Sequence, residues 1–340
     1  MRPVLAAILF AAGLVFGTAA RAEAPFPVAV ESRPIANFQL GSDETRFGAL
    51  EFAGGFEMRS SERAFGQLSA LRFLTPGRDF VGVADHGYWF FGRILRDDKG
   101  APRGVEHFRM QAMADAAGRA LDQKRMADAE GLEVKDGVAT VSFERNARLV
   151  EYALDPDGPG ANGMADARRD IDFVIPRHEL RNNQGLETVA RAPRDGPLAG
   201  ARVVVAERSL DQNGDIFAAV VEGPGKGVFK VRRRDGFDVT DGVFLPEGVF
   251  GGDLVLLERR LSLASGVAMR VRRIDGAAVK PGALVDGEVL MQADLAYRID
   301  NMEGLDAWVR QDGATVLSIV SDDNQSFLQR TLYLEFVVRE

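Results

Sequence analysis

Apolar residues in this chain come in short runs of five or six, each cut off by Gly, Pro or Asp or by an acid, and one arrangement of such runs recurs five times. Each copy opens on a polar residue and a short apolar stretch, and passes through a Gly-containing turn. A second apolar stretch follows and stops at an acid. The starts are Gln67-Leu68-Ser69-Ala70-Leu71, Asp128-Ala129-Glu130-Gly131-Leu132, Gly185-Leu186-Glu187-Thr188-Val189, Val239-Thr240-Asp241-Gly242-Val243 and Asn301-Met302-Glu303-Gly304-Leu305. The turns fall at Gly77, Gly137, Gly196, Gly248 and Gly313. The second runs, Phe80 to Ala84, Val138 to Phe143, Ala201 to Ala206, Asp253 to Leu257 and Thr315 to Val320, stop at Asp85, Glu144, Glu207 and Glu258 and, one residue past Ser321, at Asp322. In the middle three an arginine follows at once: Arg145, Arg208 and Arg259.

Short runs rich in Val, Ile, Leu and Phe between Gly, Pro and Asp are strand chemistry. The aligned positions 69, 130, 187, 240 and 303 lie 61, 57, 53 and 63 residues apart, a little above the ~40–50 residues of a four-stranded propeller blade. The expected fold is therefore all-β: a β-propeller of five or six blades. Only 37 residues follow Glu303, too few for a whole blade. The stretch Phe47 to Met58 reads as the missing strand, closing the ring by joining the N-terminal segment to the last blade and leaving no open edge there. Two tandem β-sandwiches would also explain strands and turns, but not five recurrences. Gln111 to Ala129, rich in Ala, Met and charge, lacks clean periodicity and carries Gly118 in its middle; it reads as an inserted loop.

Residues 1–22 form a targeting pattern: Arg2, an apolar run from Val4 to Phe16, then Ala20-Arg21-Ala22 as a small-x-small cleavage signal. The expected product is a periplasmic or secreted protein with one propeller domain over 23–340, acting as a monomer. Losing Arg2 and Arg21 takes the formal charge from −8 to −10, which argues against nucleic acid or anionic lipid as partner. The chain has no cysteine, which removes disulfides, thiol catalysis and Cys-based metal sites. Only six of the 42 basic residues are lysine.

In an antiparallel hairpin the start of the first strand lies beside the end of the second. Glu130 then falls near Glu144, Glu187 near Glu207 and Glu303 near Asp322, with Ser69 and Thr240 opposite Asp85 and Glu258. Inner strands of a propeller line its channel, so these groups are expected around one mouth. Such a rim needs positive compensation. Arg145, Arg208 and Arg259 can supply it as interblade pairs, or Ca²⁺ can, held by the carboxylates with Asn301, Asn183 or Asn324 as neutral oxygen ligands. A second oxygen-rich stretch, Asp211-Gln212-Asn213-Gly214-Asp215 with Glu222, has EF-hand spacing, but Ile216 stands where the loop needs glycine; a plain Asx turn is expected. No Gly-x-Ser-x-Gly elbow occurs, and His86, His107 and His178 lack zinc spacing. Gly223-Pro224-Gly225-Lys226-Gly227 reads as a turn.

The units resemble the phytase-like family, proteins with esterase-like activity of phytase. The resemblance is carried by Gly66-x-Leu68-Ser69 with Asp85-His86-Gly87, by Asp128-Ala129-Glu130-Gly131 with Phe143-Glu144-Arg145, by Asn183-Gln184-Gly185-Leu186-Glu187, by Leu256-Leu257-Glu258-Arg259, and by Asn301-x-Glu303-Gly304-Leu305 with Ser321-Asp322-Asp323-Asn324. It implies an exported propeller that cleaves a small phosphorylated or ester substrate with its repeated Glu and Asp residues. Two departures stand out: Gln184 lies where the family commonly has a basic residue, and Thr240 leaves the fourth unit without a first-strand carboxylate. The candidate catalytic residues are Glu130, Glu144, Glu187, Glu207, Glu258 and Glu303. Arg145, Arg208, Arg259 and His86 are candidates for holding substrate, and Asp85, Asp322, Asn301 and Asn324 for holding Ca²⁺. The competing reading is a non-catalytic propeller that binds a ligand or envelope partner, its Glu/Asp–Arg pairs serving as blade latches.

Overall fold

The computed structural model describes residues 24–121, 124–154, 164–246, 250–262 and 266–339. The expected leader and Gly248 lie outside them, as does most of the loop after Leu154. Five sheets follow one another along the chain, antiparallel except where Leu284–Val285 runs parallel to Gly227–Val231 at the edge of the third. Their innermost strands are Leu68–Phe73, Ala129–Lys135, Leu186–Arg191, Asp238–Phe244 and Asn301–Val309, here numbered blades 1 to 5. Each inner strand packs on the next, and the fifth packs back on the first. The ring is thus a five-bladed β-propeller, which settles the blade number.

The ring closes as the sequence suggests. Blade 5 takes three strands from the C-terminal end of the chain and a fourth, Leu50–Arg59, from near its beginning. Leu50–Arg59 pairs antiparallel with Thr331–Val338 from Met58↔Thr331 to Leu50↔Val338, and Glu31–Ile35 adds a fifth strand outside it. Between the blades lie apolar layers; that around Phe38, Phe52 and Phe336 joins blade 5 to blade 4. The segment after Ala112 is mainly loop: the Asp115 carboxylate caps a turn, and a four-residue helix, Lys124–Ala127, follows. Of the expected hairpin glycines, Gly77, Gly137 and Gly313 have positive φ, whereas the turn containing Gly196 places that conformation on Ala199 and Gly200.

Each inner strand carries a β-bulge near its start. In blade 1 Leu68 pairs with Ala84 and Ala70 with Val83, so Ser69 is skipped. Glu187, Thr240 and Glu303 are skipped in the same way in blades 3, 4 and 5. In blade 2 the shift spans Glu130-Gly131, opposite Ser142, whose hydroxyl accepts from Gly131 N at 2.7 Å and donates to Leu186 O of blade 3 at 2.8 Å. A bulge frees a residue from the ladder and re-aims its side chain. Here it does so at all five positions that the sequence pattern aligned. Glycine beside the bulge lets neighbouring strands approach: a Cβ on Gly131 would sit 2.3 Å from Glu187 O, and one on Gly304 would sit 3.0 Å from Ser69 O.

Candidate functional site: an acidic mouth

The bulges and hairpin ends converge on one cavity of about 190 Å³ at the end of the channel. It is lined by seven carboxylates, Asp85, Glu130, Glu144, Glu187, Glu207, Glu303 and Asp322, together with Ser69, Asn183, Asn301, Asn324 and one cation, Arg259. The hairpin register explains the convergence. Glu144 N donates to Asp128 O at 2.9 Å, Glu207 N to Gly185 O at 2.7 Å and Asp85 N to Gln67 O at 3.0 Å, while Asp322 pairs with Asn301.

Blade 4 departs from this order. Val239 pairs with Glu258, so Glu258 takes the place held by Ala84, Phe143, Ala206 and Ser321 in the other blades. Because strand side chains alternate faces, that single step turns Glu258 away from the channel and brings Arg259 to the position of the other blades' acids. Glu258 is fully buried between Arg270 and Arg272, which reach on to Asp235 at 3.0 Å and Asp286 at 2.9 Å. Its expected place on the rim is therefore corrected: it belongs to an ionic network inside the sheet.

Three more candidates lie outside the cavity. Arg145 binds Asp128 of its own blade at 2.6 Å, not a neighbouring blade, and Arg208 reaches Asp238 of blade 4 at 3.3 Å. His86 stacks on Tyr88 at 4.8 Å, with its Nε2 3.0 Å from Ala64 O and its Nδ1 3.7 Å from Asp85. The Asp211 loop is an Asx turn: Asp211 Oδ1 accepts from Asn213 N and Asp215 N, and its other oxygen pairs with Lys230. Glu222 is committed elsewhere, to Arg191 at 3.2 Å. Asp128, which sequence reasoning passed over, sits with Glu130 and Glu144. Its pairing position opposite Glu144 in the hairpin was the available signal.

Arg259 cannot neutralise this ring. It donates to Asn301 Oδ1 and Glu303 Oε1 and stands 3.4 Å from Glu207. Burial works against its charge, but Glu303, Glu207 and Glu187 outweigh that and raise its pKa. The carboxyls respond to what remains. Burial first, then mutual repulsion, pushes Glu130 and Glu187 well above the ordinary carboxylate range. Burial likewise lifts Glu144 and Glu207 to about 7 and Asp322 to about 8. Neither Glu130 nor Glu187 has a hydrogen-bond donor or an ion pair within 4 Å among the described residues, although Glu187 feels Arg259 from farther off.

This donor set fits a hard cation. It is all oxygen, with no histidine at the cavity. Oxygens of Asp128, Glu130 and Glu144 lie within 4.8 Å of one another, as do those of Glu144, Glu187 and Glu207. Ligands each about 2.3–2.6 Å from one Ca²⁺ have such spacings.

The geometry defines a class: a five-bladed β-propeller whose hairpin ends gather carboxylates at one channel mouth. Within that class the chain belongs to the phytase-like family, described by esterase-like activity of phytase, whose pattern matches residues 63–325. No curated protein matches the chain. Among solved structures it is similar to the PQQ-bound aldose sugar dehydrogenase of Streptomyces coelicolor, at 12% identity and a TM-score of 0.42 over 92% of this chain and 100% of that one. An exo-1,5-α-L-arabinanase from a bovine ruminal metagenomic library is similar at 12% identity and a TM-score of 0.43, over 82% of this chain and 95% of its own. The cofactor and substrates in those names are those proteins' own.

Proposed function

We propose that this is an exported, monomeric hydrolase that holds Ca²⁺ among the mouth carboxylates and cleaves a small phosphoester or carboxylic ester there. One observation carries the reading: seven carboxylates face one cavity with a single guanidinium among them. A bound Ca²⁺ would supply Lewis-acid polarisation of the substrate's phosphoryl or acyl oxygen. The remaining roles fall to the chain. Before a cation binds, Glu144 and Glu207 titrate near 7 and exchange protons at neutral pH; a bound Ca²⁺ would draw down whichever of them it touches and leave proton transfer to the other. Arg259 offers its guanidinium to charge developing on the substrate, exchanging its long contact with Glu207. Asn301 orients both Arg259 and Glu303 through direct hydrogen bonds. Residues 1–22 would direct export.

The latch reading fits Arg208, which reaches Asp238 of the next blade, but not Arg145, whose partner lies in its own blade, and it leaves the acidic ring without a purpose. Calorimetric titration with Ca²⁺, joined to a screen of phosphoesters and esters, decides between the two. Cation-dependent turnover that Glu130→Gln or Glu303→Gln abolishes without lowering the melting temperature is the expected result. Loss of stability in those variants, with neither turnover nor cation binding in the parent, would end the hydrolase reading.

A further inference from the structure

A second recess, of about 570 Å³, adjoins the mouth, and the two share a loop. Residues along the loop alternate between them: Asp322 and Asn324 line the acidic cavity, while Asp323 and Gln325 line the recess. The loop is braced. Asp323 Oδ1 accepts from Gln67 N at 3.2 Å and Gln325 N at 3.0 Å, and Asp323 Oδ2 accepts from the Thr331 hydroxyl at 2.9 Å. Gln325 Nε2 donates to Arg63 O at 3.3 Å, Ser326 N to Asp323 O at 2.7 Å and Gln329 N to Ser326 O at 3.0 Å.

From this base project Phe327 and Leu328, 95% and 78% exposed, the two most exposed large apolar side chains among the described residues. Scattered exposed apolar residues are ordinary. Two adjacent ones, held out by a hydrogen-bonded turn with Phe327 on the wall of the recess, keep apolar area in water that a ligand can cover. Charge adds a second coordinate. Three arginines and three acids line the recess: Arg59 pairs with Glu57 at 2.5 Å, Arg330 pairs with Asp300 at 3.2 Å, and Asp323 accepts from Gln67, Gln325 and Thr331, which leaves Glu62 and Arg63. Arg63 is exposed and has no ion-pair partner among the described residues.

We propose that this recess takes the non-reacting arm of the substrate: an aryl or alkyl group against Phe327, which lines it, and the neighbouring exposed Leu328, with an anionic group directed to Arg63. The substrate class is then an amphiphilic anion, not a compact polyanion. Naming that arm as the substrate's rests on the hydrolase reading; its binding does not. The two cavities lie on either side of one loop, so an arm seated against Phe327 has only that loop to cross to reach the carboxylates.

The probe is 8-anilinonaphthalene-1-sulfonate, which has aryl rings and one anion, titrated by fluorescence into the folded full chain with EDTA present. Saturable binding is expected, displaced by hexyl phosphate and not by glycerol phosphate. Phe327→Ser with Leu328→Ser should weaken it about tenfold through lost apolar contact. Arg63→Ser should weaken it about threefold, as for one exposed charge pair. All three side chains are exposed, and unchanged melting temperatures exclude dye uptake by a loosened core. Equal dye affinity in the Phe327/Leu328 variant overturns the proposal. So does a parent dimer that this variant dissociates, or sedimentation with phosphatidylcholine vesicles that depends on the same two residues. No readout needs turnover or Ca²⁺, so failure here and failure of the hydrolase reading are separate results.

Discussion

The channel contains two charge clusters a few residues apart, and they are built on opposite principles. Deeper along the inner strands, about 10 Å below Ser69 by strand rise, Arg72 of blade 1 meets Asp241 of blade 4 in a two-pronged pair at 2.8 Å. Both are buried. Arg72 also donates to Leu71 O and to Leu305 O of blade 5, at 2.8 and 2.7 Å. Asp241 further accepts from Gly242 N at 2.7 Å and Leu305 N at 2.8 Å. Burial opposes both charges: Asp241 more than offsets it for Arg72, whereas Asp241 itself stays above its ordinary value because burial outweighs Arg72 and the backbone donors. At the mouth, by contrast, seven acids share Arg259. The deeper pair, with its partners in place, fastens the ring; Glu130 and Glu187 at the mouth, which accept no hydrogen bond from the described residues, are the groups the proposed cation would meet.

Breaking the deeper pair should give the largest effect. Arg72→Met leaves the buried Asp241 charge with only the Gly242 and Leu305 N–H groups and no cation, and should cost about 3–5 kcal/mol in denaturant unfolding. Adding Asp241→Leu should recover much of the loss. A cost below about 1 kcal/mol for the single variant would mean that the pair does not fasten the ring.

The mouth should respond with the opposite sign. Glu187→Gln removes one member of a repelling set, so in EDTA it should stabilise the fold by about 1 kcal/mol or more while weakening Ca²⁺ binding. A destabilised Glu187→Gln protein with unchanged cation affinity would erase the contrast between the clusters.

Acidity sharpens the same point. Folded Glu144 and Glu207 titrate near 7 against a reference of 4.5, and Asp322 near 8 against 3.8. The folded protein therefore holds more protons than the unfolded chain across that interval, so stability is greatest at its acid end and falls as pH rises toward about 8. Melting curves in EDTA between pH 5 and 8 should show the decline, and Ca²⁺ should flatten it. A rising curve would contradict the assignment. Smallest of all, Arg145→Gln and Arg208→Gln should each cost under about 1 kcal/mol, because both side chains are substantially solvated, and leave cation binding unaltered.

Five recurrences of a hairpin pattern made the ring and its acidic mouth readable from the sequence, because strand alternation and turn position are local. What escaped depends on register or on distance. In blade 5 the acid was found one residue beyond Ser321. The same step in blade 4 leads to Arg259, but Glu258 offered an acid one place earlier and masked the shift. Arg72 and Asp241 are 169 residues apart and meet only across the closed ring, which no local pattern encodes. Phe327 and Leu328 break no rule of composition; their exposure becomes a signal only once the loop is seen beside the cavity.

The strand borrowed from the beginning of the chain has a consequence for biogenesis. Leu50–Arg59 has its main partner in Thr331–Val338, so nearly the whole polypeptide must be synthesised before the circle can shut. Until then two sticky margins wait for each other, and each can capture the matching margin of another nascent molecule. A product cut short before Thr331 is therefore a seed for tangling rather than a smaller working version, and contacts so remote in sequence make the final closure slow.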